Sequence, residues 1–385
     1  MKILMISTDR SVFDADSAVR SRLLEQASLV SEIHVIVFTP KGASFTKLHL
    51  SKHLTIYPTA SANKFVYLTD AYALGKQILA KEEERKRFLV TTQDPFETGA
   101  VGYLLSRTCK VPLHLQLHTD PFNEEWKKER FLNRMRFILA LFLLRQADAV
   151  RVVSERVFTH VRSRGVLKSR ITKVPIYVDV EHFTKTRPKF DLHHSYGEYS
   201  HIVLSMGRLE QEKNFNKLIR AFRRVHLHFP DTLLLIVGSG SERERLATLI
   251  RSFNLDRYIK IVPWARDVVS YYKTCDVYVQ PSRYEGWGLS VVEALASGAP
   301  VLMTDVGCAG EVVRSGETGV IIASSDEDTL ADGINRLLGD EELRKTLRAA
   351  GKKEVKKLAT KAETLMLYKA SWEQALQNGH KRYNI

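Results

Sequence analysis

The sequence predicts an α/β protein made of two Rossmann-like, doubly wound, parallel-sheet domains that face each other across a cleft. Short apolar or β-branched runs alternate with stretches of helical periodicity along almost the whole chain, which indicates parallel strands joined by helices. Runs such as residues 233–237 are apolar at every position, which is typical of strands buried on both faces of a sheet. A polar, turn-rich stretch at residues 178–200 interrupts the series and indicates an interdomain linker.

The elements follow one another in two series. In the first series we predict strands at residues 2–7, 33–38, 54–57, 88–91, 113–117, 149–153 and 171–175. In the second series we predict strands at residues 202–205, 233–237, 259–262, 277–280, 301–303 and 320–322. The domains are therefore placed at residues 1–182 and 183–359. Residues 360–385 are predicted to form one more helix, which could cross back to the first domain.

The composition excludes several classes of protein. The chain has 385 residues, of which 44% are hydrophobic and 26% are charged, and these values are far from those of a disordered chain, a collagen-like fibre or a coiled coil. Its three cysteines are too few for a disulfide framework and lack the paired spacing of a zinc site, which indicates a reducing compartment. No apolar run approaches the ~20 residues of a spanning helix, and the first residues lack a secretory pattern. We therefore expect a cytoplasmic protein.

The net charge of +14 favours anionic partners, which include nucleic acid, acidic lipid and phosphorylated ligands. The sequence has no stacked-aromatic, helix-turn-helix or zinc signature of nucleic-acid recognition. A basic nucleic-acid-binding protein is therefore a remote alternative, and we expect no nucleic-acid partner.

The sharpest motif follows the predicted strand at residues 277–280. Glycines flank Trp287, which lets backbone approach a ligand closely. A helix is predicted to begin near Leu289, so that the free N–H groups of Leu289 and Ser290 and the helix dipole can bind a phosphate.

Two carboxylates frame this motif. Glu285 lies in the loop and Glu293 lies early in the helix. Because a carboxylate accepts hydrogen bonds from two adjacent sugar hydroxyls, one of them could hold a hexose and the other a ribose. Ser290 with Glu293 also fits a capping box, which needs no ligand.

A second loop, at residues 205–215, also follows a strand and precedes a helix. It carries Arg208 and Lys213, and two fixed cations near one diphosphate would stabilise a departing phosphate. The alternative is a pair of solvated surface charges.

Together these residues resemble retaining glycosyltransferase family 4, which has the GT-B architecture. The resemblance rests on Gly207-Arg208 with Lys213 and on the Glu285 to Glu293 motif, and it extends weakly to residues 152–155, 178–183 and 237–240. Residues 238–243 lack the third glycine of a dinucleotide-binding motif and are interpreted as a tight structural turn.

The resemblance implies that the C-terminal domain binds a nucleotide-diphosphate sugar and that the N-terminal domain binds the acceptor. Arg208 and Lys213 would contact the diphosphate, Glu285 the sugar, and Glu293 the ribose hydroxyls. The donor-binding residues that it implies are Gly207, Arg208, Lys213, Pro263, Trp264, Arg266, Glu285, Gly286, Gly288, Leu289, Ser290 and Glu293.

The first domain offers weaker candidates. His118 ends a predicted strand at a position where the family often places a histidine near the donor sugar, although a lone histidine is often structural. Asp94 and Glu97 lie in another strand-end loop and are candidate acceptor contacts, while Asp94 could equally cap the next helix. The loop after the first strand lacks the family's glycines, so Ser17 and Arg20 are taken as candidate acceptor or phosphate contacts.

Residues 126–145 are predicted to form one helix with basic and apolar faces. The basic face contains Lys127, Arg130 and Arg134, and the apolar stripe contains Phe131, Met135, Ile138 and Phe142. This pattern fits peripheral contact with an anionic membrane on the cytoplasmic face, or equally a packed helix with a solvated side.

The leading hypothesis is a metal-independent, retaining glycosyltransferase with Arg208, Lys213, Glu285 and His118 as its catalytic residues. It would use a UDP-sugar, or a GDP-sugar as the alternative, and a glycan or glycolipid acceptor. No cofactor or metal is expected, because Asp14-Ala15-Asp16 lies in the N-terminal domain and Asp326-Glu327-Asp328 is predicted to cap a helix. The alternative enzyme is a nucleotide-sugar epimerase of similar architecture.

Overall fold

The computed structural model describes residues 1–80 and 85–384. The chain divides into two compact units. Unit 1 comprises Met1–Pro175 with Thr360–Ile385, and unit 2 comprises Ile176–Ala359.

Each unit is built on one twisted sheet. The strands are β1 Lys2–Ser7, β2 Glu32–Val37, β3 Leu48–Ser51, β4 Leu54–Pro58, β5 Phe88–Thr92, β6 Leu113–Leu117, β7 Ala149–Val152, β8 Ile171–Lys173, β9 His201–Met206, β10 Thr232–Val237, β11 Ile259–Val262, β12 Val277–Gln280, β13 Val301–Thr304 and β14 Val320–Ile322. The order is β3-β4-β2-β1-β5-β6-β7-β8 in unit 1 and β11-β10-β9-β12-β13-β14 in unit 2.

Helices connect most of these strands. The α-helices that the structure describes are α1 Ala18–Ala27, α2 Tyr67–Ile78, α3 Glu97–Cys109, α4 Glu124–Glu129, α5 Phe131–Gln146, α6 Glu155–Ser163, α7 Val180–Lys185, α8 Leu192–Ser195, α9 Phe215–His228, α10 Arg243–Ser252, α11 Val268–Thr274, α12 Leu289–Ser297, α13 Glu327–Gly339, α14 Glu341–Val355 and α15 Lys361–Tyr383. Short 3₁₀ helices lie at Arg10–Phe13, Lys64–Val66, Lys168–Arg170 and Gln211–Lys213.

The predicted strands are all present, with ends that move by one or two residues. β1 and β10 are buried at every position, as their continuous apolar sequences predict, because helices cover both faces of a parallel sheet. The prediction missed β3, which pairs antiparallel with β4 at the sheet edge. Its residues alternate between half-buried and exposed, so its apolar signal is weak.

The boundary between the units lies after Pro175 and not after residue 182. The polar segment from Val178 to Ser200 was interpreted as a linker, but it contains α7 and α8 and belongs to unit 2. Helix α7 packs against α12, and the Thr184 hydroxyl donates a hydrogen bond to the Ala296 carbonyl at 3.2 Å. This packing ties the segment to unit 2.

The C-terminal helix α15 packs on the sheet of unit 1. It begins at a capping box formed by Thr360 and Glu363, and Trp372 and Ala375 are fully buried against that unit's core. Near its end, Arg382 forms an ion pair with the buried Asp148 at 3.2 Å. The helix therefore covers one face of the first sheet, although it follows unit 2 in the sequence.

The single helix predicted at residues 126–145 is two helices. Arg130 has extended backbone angles, with φ −143° and ψ 143°, and separates α4 from α5. The Asn133 side chain donates to the Trp126 carbonyl at 2.8 Å and holds the corner. Trp126 itself is buried.

The sheet of unit 2 determines where chemistry can occur. Its strands are parallel, so the loops that follow β9, β11, β12 and β13 leave the same edge. Ligands of doubly wound sheets bind at this carboxyl edge. The segments of residues 207–214, 263–267, 281–288 and 305–310 all begin there.

Candidate active site

The centre of the candidate site in unit 2 is an ion pair between two loops. Lys213, at the end of the short helix Gln211–Lys213, places Nζ 2.5 Å from Oε1 of Glu285. Each side chain is only 14% exposed. The alternative of two solvated surface charges is therefore wrong for Lys213.

Glu285 is held by a buried polar network. Its Oε1 also accepts hydrogen bonds from Nε2 of Gln280 at 2.7 Å and from the Ser282 hydroxyl at 2.9 Å. Burial alone would raise the pKa of the carboxyl, but the Lys213 charge and these donors together lower it below its ordinary value. Oε2 of Glu285 accepts no hydrogen bond from the described residues, so one oxygen is fixed and the other is available to a ligand.

The loop after Glu285 ends at the start of helix α12. Gly288 is the N-cap residue and has φ 89°, a left-handed conformation that favours glycine. No side chain among the described residues caps the first N–H groups of α12. These groups have no partner within the helix, so the start of α12 can bind an anion.

The capping-box interpretation of Ser290 and Glu293 is wrong. The helix begins one residue before Ser290, with Gly288 as its cap. The Ser290 hydroxyl donates instead to Oε1 of Gln280 at 3.1 Å. Ser290 therefore belongs to the network that positions Glu285.

Glu293 takes no part in capping α12, and its carboxyl group is largely buried. Burial raises the pKa of its carboxyl to about 7, although the Tyr272 hydroxyl opposes this rise by donating to Oε2 at 3.2 Å. Oε1 has no partner among the described residues. Glu293, like Glu285, therefore has one oxygen available to a hydroxyl donor.

Arg208 differs from Lys213 in its environment. Its side chain is 74% exposed and its guanidinium pairs with Glu212, four residues further on, at 2.7 Å. A surface pair of this kind contributes little to stability. The guanidinium can therefore leave Glu212 for an anionic ligand at small cost.

A close turn supports the Arg208 loop. A Cβ atom on Gly238 would lie 1.9 Å from the carbonyl oxygen of Gly207, so only glycine fits there. The interpretation of residues 238–243 as a structural turn is confirmed. This turn fixes the backbone from which Arg208 extends.

The predicted base-binding residues lie at the same edge of the sheet. Pro263, Trp264 and Arg266 follow β11 directly, and all three are exposed. Trp264 is 57% exposed, which is high for an indole.

In unit 1, His118 directly follows β6, at the carboxyl edge of the first sheet. Its Nε2 lies 3.3 Å from Nη1 of the fully buried Arg151 on β7. Burial, followed by the charges of Arg151 and Arg22, lowers the pKa of His118 to about 3. His118 is therefore neutral at physiological pH.

The other candidates of unit 1 have structural partners. Ser17 caps α1 by accepting from the N–H of Arg20 at 3.1 Å. Glu97 forms an ion pair with Arg136 at 2.7 Å. Asp94 does not cap α3, whose N-cap has no side-chain bond, but accepts from the Phe96 N–H at 2.7 Å. Burial raises the pKa of Asp94 to about 6.

The carboxylates of the two Asp-x-Asp triplets also have structural roles. Asp326 caps α13 by accepting from the Thr329 N–H at 2.9 Å, so that prediction is confirmed. Asp14 accepts from the Asp16 N–H at 3.1 Å in the loop that precedes α1.

Sequence reasoning missed several residues that shape the site. Gln280 donates to Glu285 and accepts from Tyr278 and Ser290, and Tyr272 reaches Glu293. The available signal for Gln280 was a polar residue at the end of an apolar strand. Arg151 carried a similar signal, because it is a charged residue inside a predicted buried strand.

Helix α5 packs against the core on one side and exposes its apolar stripe on another. The members of the stripe are between 47% and 78% exposed: Phe131, Met135, Ile138 and Phe142. The neighbouring Leu132 is 51% exposed. The buried side of α5 contains Asn133, Ala140, Leu143 and Leu144. Within the described residues no helix has the length and apolar content to span a bilayer.

Comparison with known proteins finds a family similarity in the second unit. Residues 191–354 match the family model Glycosyl transferases group 1. The match covers most of unit 2, including both loops of the Lys213–Glu285 pair.

Relatives and solved structures extend the similarity beyond residues 191–354. An uncharacterized glycosyltransferase of Methanocaldococcus jannaschii is 27% identical over 86% of this chain and 85% of its own length. A sucrose-phosphate synthase from Thermosynechococcus elongatus superposes with a TM-score of 0.80 at 24% identity, over 98% of this chain and 100% of that chain. Anabaena HepE, in complex with UDP and glucose, gives a TM-score of 0.74 at 19% identity, over 97% and 98% of the two chains.

These comparisons confirm the predicted fold class of two parallel-sheet α/β domains, the GT-B architecture. They support the glycosyltransferase class for the chain. The retaining stereochemistry, the donor and the acceptor stay predictions.

Proposed function

We propose that this chain is a retaining glycosyltransferase that moves a hexosyl or N-acetylhexosaminyl unit from a nucleotide-diphosphate sugar to a hydroxyl of a glycan or glycolipid. The observation that carries the proposal is the Lys213–Glu285 pair beside the uncapped start of α12. A cation, a carboxylate oxygen without a partner and free N–H groups are the groups that recognise a sugar diphosphate.

Different residues of unit 2 are proposed to bind the donor hydroxyls and to stabilise the leaving diphosphate. Lys213 donates one bond to Glu285 and keeps two N–H groups for the diphosphate. Arg208 and the start of α12 add positive potential where negative charge develops as the phosphate leaves. The free oxygens of Glu285 and Glu293 accept bonds from the sugar and ribose hydroxyls.

Retention by double displacement would need a carboxylate nucleophile. The two candidates are Glu285 and Asp120, and both are poor nucleophiles. Glu285 is paired with Lys213 through Oε1, and its free Oε2 is assigned to a hydroxyl of the sugar. Asp120, close to His118 in sequence, is 1% exposed and is bound by His160 at 3.0 Å. We therefore favour front-face transfer, in which the leaving phosphate takes the acceptor's proton.

The donor nucleotide is proposed to be UDP, with GDP as the alternative. HepE is crystallised with UDP and glucose, and UDP is the commoner donor in the family that the motifs resemble. The cationic loop and the helix start are proposed to replace a metal ion at the diphosphate.

Donor binding tests this proposal first. A ligand that binds only the native state raises the melting temperature by mass action. We expect one of the UDP-, GDP- and ADP-sugars to stabilise wild type and not Glu285→Gln. Sugar transfer to an added acceptor supports the transferase, whereas nucleotide release that leaves an epimerised free sugar supports the epimerase.

We also propose that α5 contacts anionic membrane on the cytoplasmic face, where a glycolipid acceptor would lie. This second proposal rests on the exposed stripe of α5. Exposing a contiguous apolar patch to water costs free energy, and such a patch is well suited to a membrane interface. The exposed Lys128, Arg130 and Arg134, on α4, at the corner and on α5, add the positive charge that acidic lipids attract.

A further inference from the structure

The buried guanidinium of Arg151 lies beneath the carboxyl edge of the first sheet. Nε and Nη2 donate to the Val174 carbonyl at 3.1 and 2.7 Å, and Nη1 donates to Oε1 of Gln116 at 2.9 Å. The ring of Tyr368, from α15, lies 4.3 Å from the guanidinium carbon. No carboxylate of the described residues forms an ion pair with Arg151. The guanidinium is therefore rigidly held and electrostatically uncompensated.

The contact between Arg151 and His118 fixes the histidine tautomer. Nη1 of Arg151 lies 3.3 Å from Nε2 of His118. A guanidinium has only donors, so Nε2 must accept, and the ring proton must lie on Nδ1. A protonated ring would turn an N–H toward Arg151 and remove this bond.

The charges around His118 also favour its neutral form. Arg151 from β7 and Arg22 from α1 are both positive, and no carboxylate contributes to its pKa. His114, on the same strand, is held between the hydroxyls of Thr91 and Ser371 at 2.8 and 2.9 Å. Burial lowers the pKa of His114 to about 3, so it adds no charge near pH 7.

The outward atom of His118 is free. Within the described part of the chain, Nδ1 makes no hydrogen bond, and the side chain is only partly buried. Because Arg151 fixes the proton on Nδ1, this atom offers an N–H donor and no basic lone pair.

We propose that Arg151 is a positioning residue that holds His118 as a neutral Nδ1–H donor to an oxygen of the sugar substrate, so that His118 is not a general acid or base. The inference rests on the proposed function for the identity of the ligand. With His118 as a neutral donor, this residue supplies no base to the reaction, in agreement with front-face transfer.

Nitrogen NMR of the full-length protein tests the tautomer without any activity measurement. The His118 signals are assigned by their loss in His118→Asn. We expect a protonated-type Nδ1 and an unprotonated-type Nε2 that do not titrate between about pH 5 and about pH 9. A proton on Nε2, or a titration within this range, would overturn the proposal even if the enzyme is active.

Arg151→Met removes the guanidinium at similar volume. The His118 ring should then populate both tautomers, with a pKa that rises toward the ordinary value of about 6.5. Arg22→Gln is the matched control, because it removes a nearby charge that makes no bond to His118, and its tautomer should match wild type. An unchanged Nδ1–H tautomer in Arg151→Met would contradict the positioning role of Arg151. If this variant does not fold, the wild-type spectrum still shows which nitrogen of His118 carries the proton.

Substitution of His118 separates donation from proton transfer. Asn places an amide N–H near the Nδ1 position, so His118→Asn should keep turnover within about tenfold of wild type, while His118→Leu loses more. A general base would make both variants lose about 10²–10⁴-fold, and equal losses would refute the donor role. If wild type transfers no sugar at all, the proposed function fails, while the NMR result still stands.

Discussion

Lys213→Met removes the cation of the Lys213–Glu285 pair and keeps most of the side-chain volume. The variant leaves the Glu285 charge in a site where it is 14% exposed. Removing one partner of a buried ion pair costs about 3–5 kcal/mol. We expect the lower end, because Gln280 and Ser282 still donate to the carboxylate. At about 2–4 °C per kcal/mol for a unit of this size, the melting temperature should fall by roughly 6–12 °C.

The catalytic effect of the same variant should be separable from this loss. If Lys213 also holds the leaving diphosphate, kcat should fall by about 10²-fold or more at temperatures where the variant is folded. Adding Glu285→Gln removes the unpaired charge, so the double variant should regain most of the melting temperature and none of the activity.

Lys217→Met is the matched control for Lys213→Met. Lys217 pairs with Glu327 at 3.3 Å, is 40% exposed, and should tolerate loss of its charge with little change. Thermal melting and steady-state kinetics of the variants measure both effects. Equal melting of Lys213→Met and Lys217→Met, with wild-type turnover in both, would show that the Lys213–Glu285 pair neither stabilises the fold nor takes part in transfer.

Four further outcomes are expected. Arg208→Gln should lower kcat by about 10²-fold with a normal melting temperature, and a destabilised Arg208→Gln would show that its exposed position is wrong. Glu293 has a pKa of about 7 in the folded state against an ordinary 4.5, so the native state binds the proton more tightly. The free energy of unfolding should therefore fall as pH rises between these values, and urea titrations should find this slope missing in Glu293→Gln. The double variant Phe131→Ser/Ile138→Ser should abolish sedimentation with anionic vesicles, whereas Leu227→Ser, which removes an equally exposed apolar residue from unit 2, should not. EDTA should leave turnover unchanged, and restoration of lost activity by Mg²⁺ or Mn²⁺ would contradict metal independence.

The strands were predictable because their signal is local and strong. Residues 233–237 are apolar throughout, and a parallel strand buried on both faces requires that pattern. The glycine–carboxylate motif after β12 was predictable for the same reason, since the loop and helix start lie within one short segment. The edge strand β3 was missed, because half of its residues face solvent and leave no continuous apolar run.

Properties that depend on distant residues could not be read from the sequence. Lys213 and Glu285 lie 72 positions apart, so nothing local indicates that they form a buried pair. Arg151 and His118 are separated by 33 positions and meet only because β6 and β7 are neighbours. The exposure of the α5 stripe likewise depends on which side of that helix the sheet covers. Pairing of strands in the sheet, rather than spacing in the chain, determines these contacts.

The most direct test of the central claim is the anomeric configuration of the first sugar released from the donor. Water can replace an unidentified acceptor, so wild type incubated with a UDP-α-sugar can be followed by proton NMR from the first minutes. We expect the α anomer to appear first and to mutarotate later, and we expect Glu285→Gln to release it far more slowly. A β anomer as the first product would contradict retention, and no release or transfer from any UDP-, GDP- or ADP-sugar would contradict the assignment of this site to a nucleotide-sugar donor.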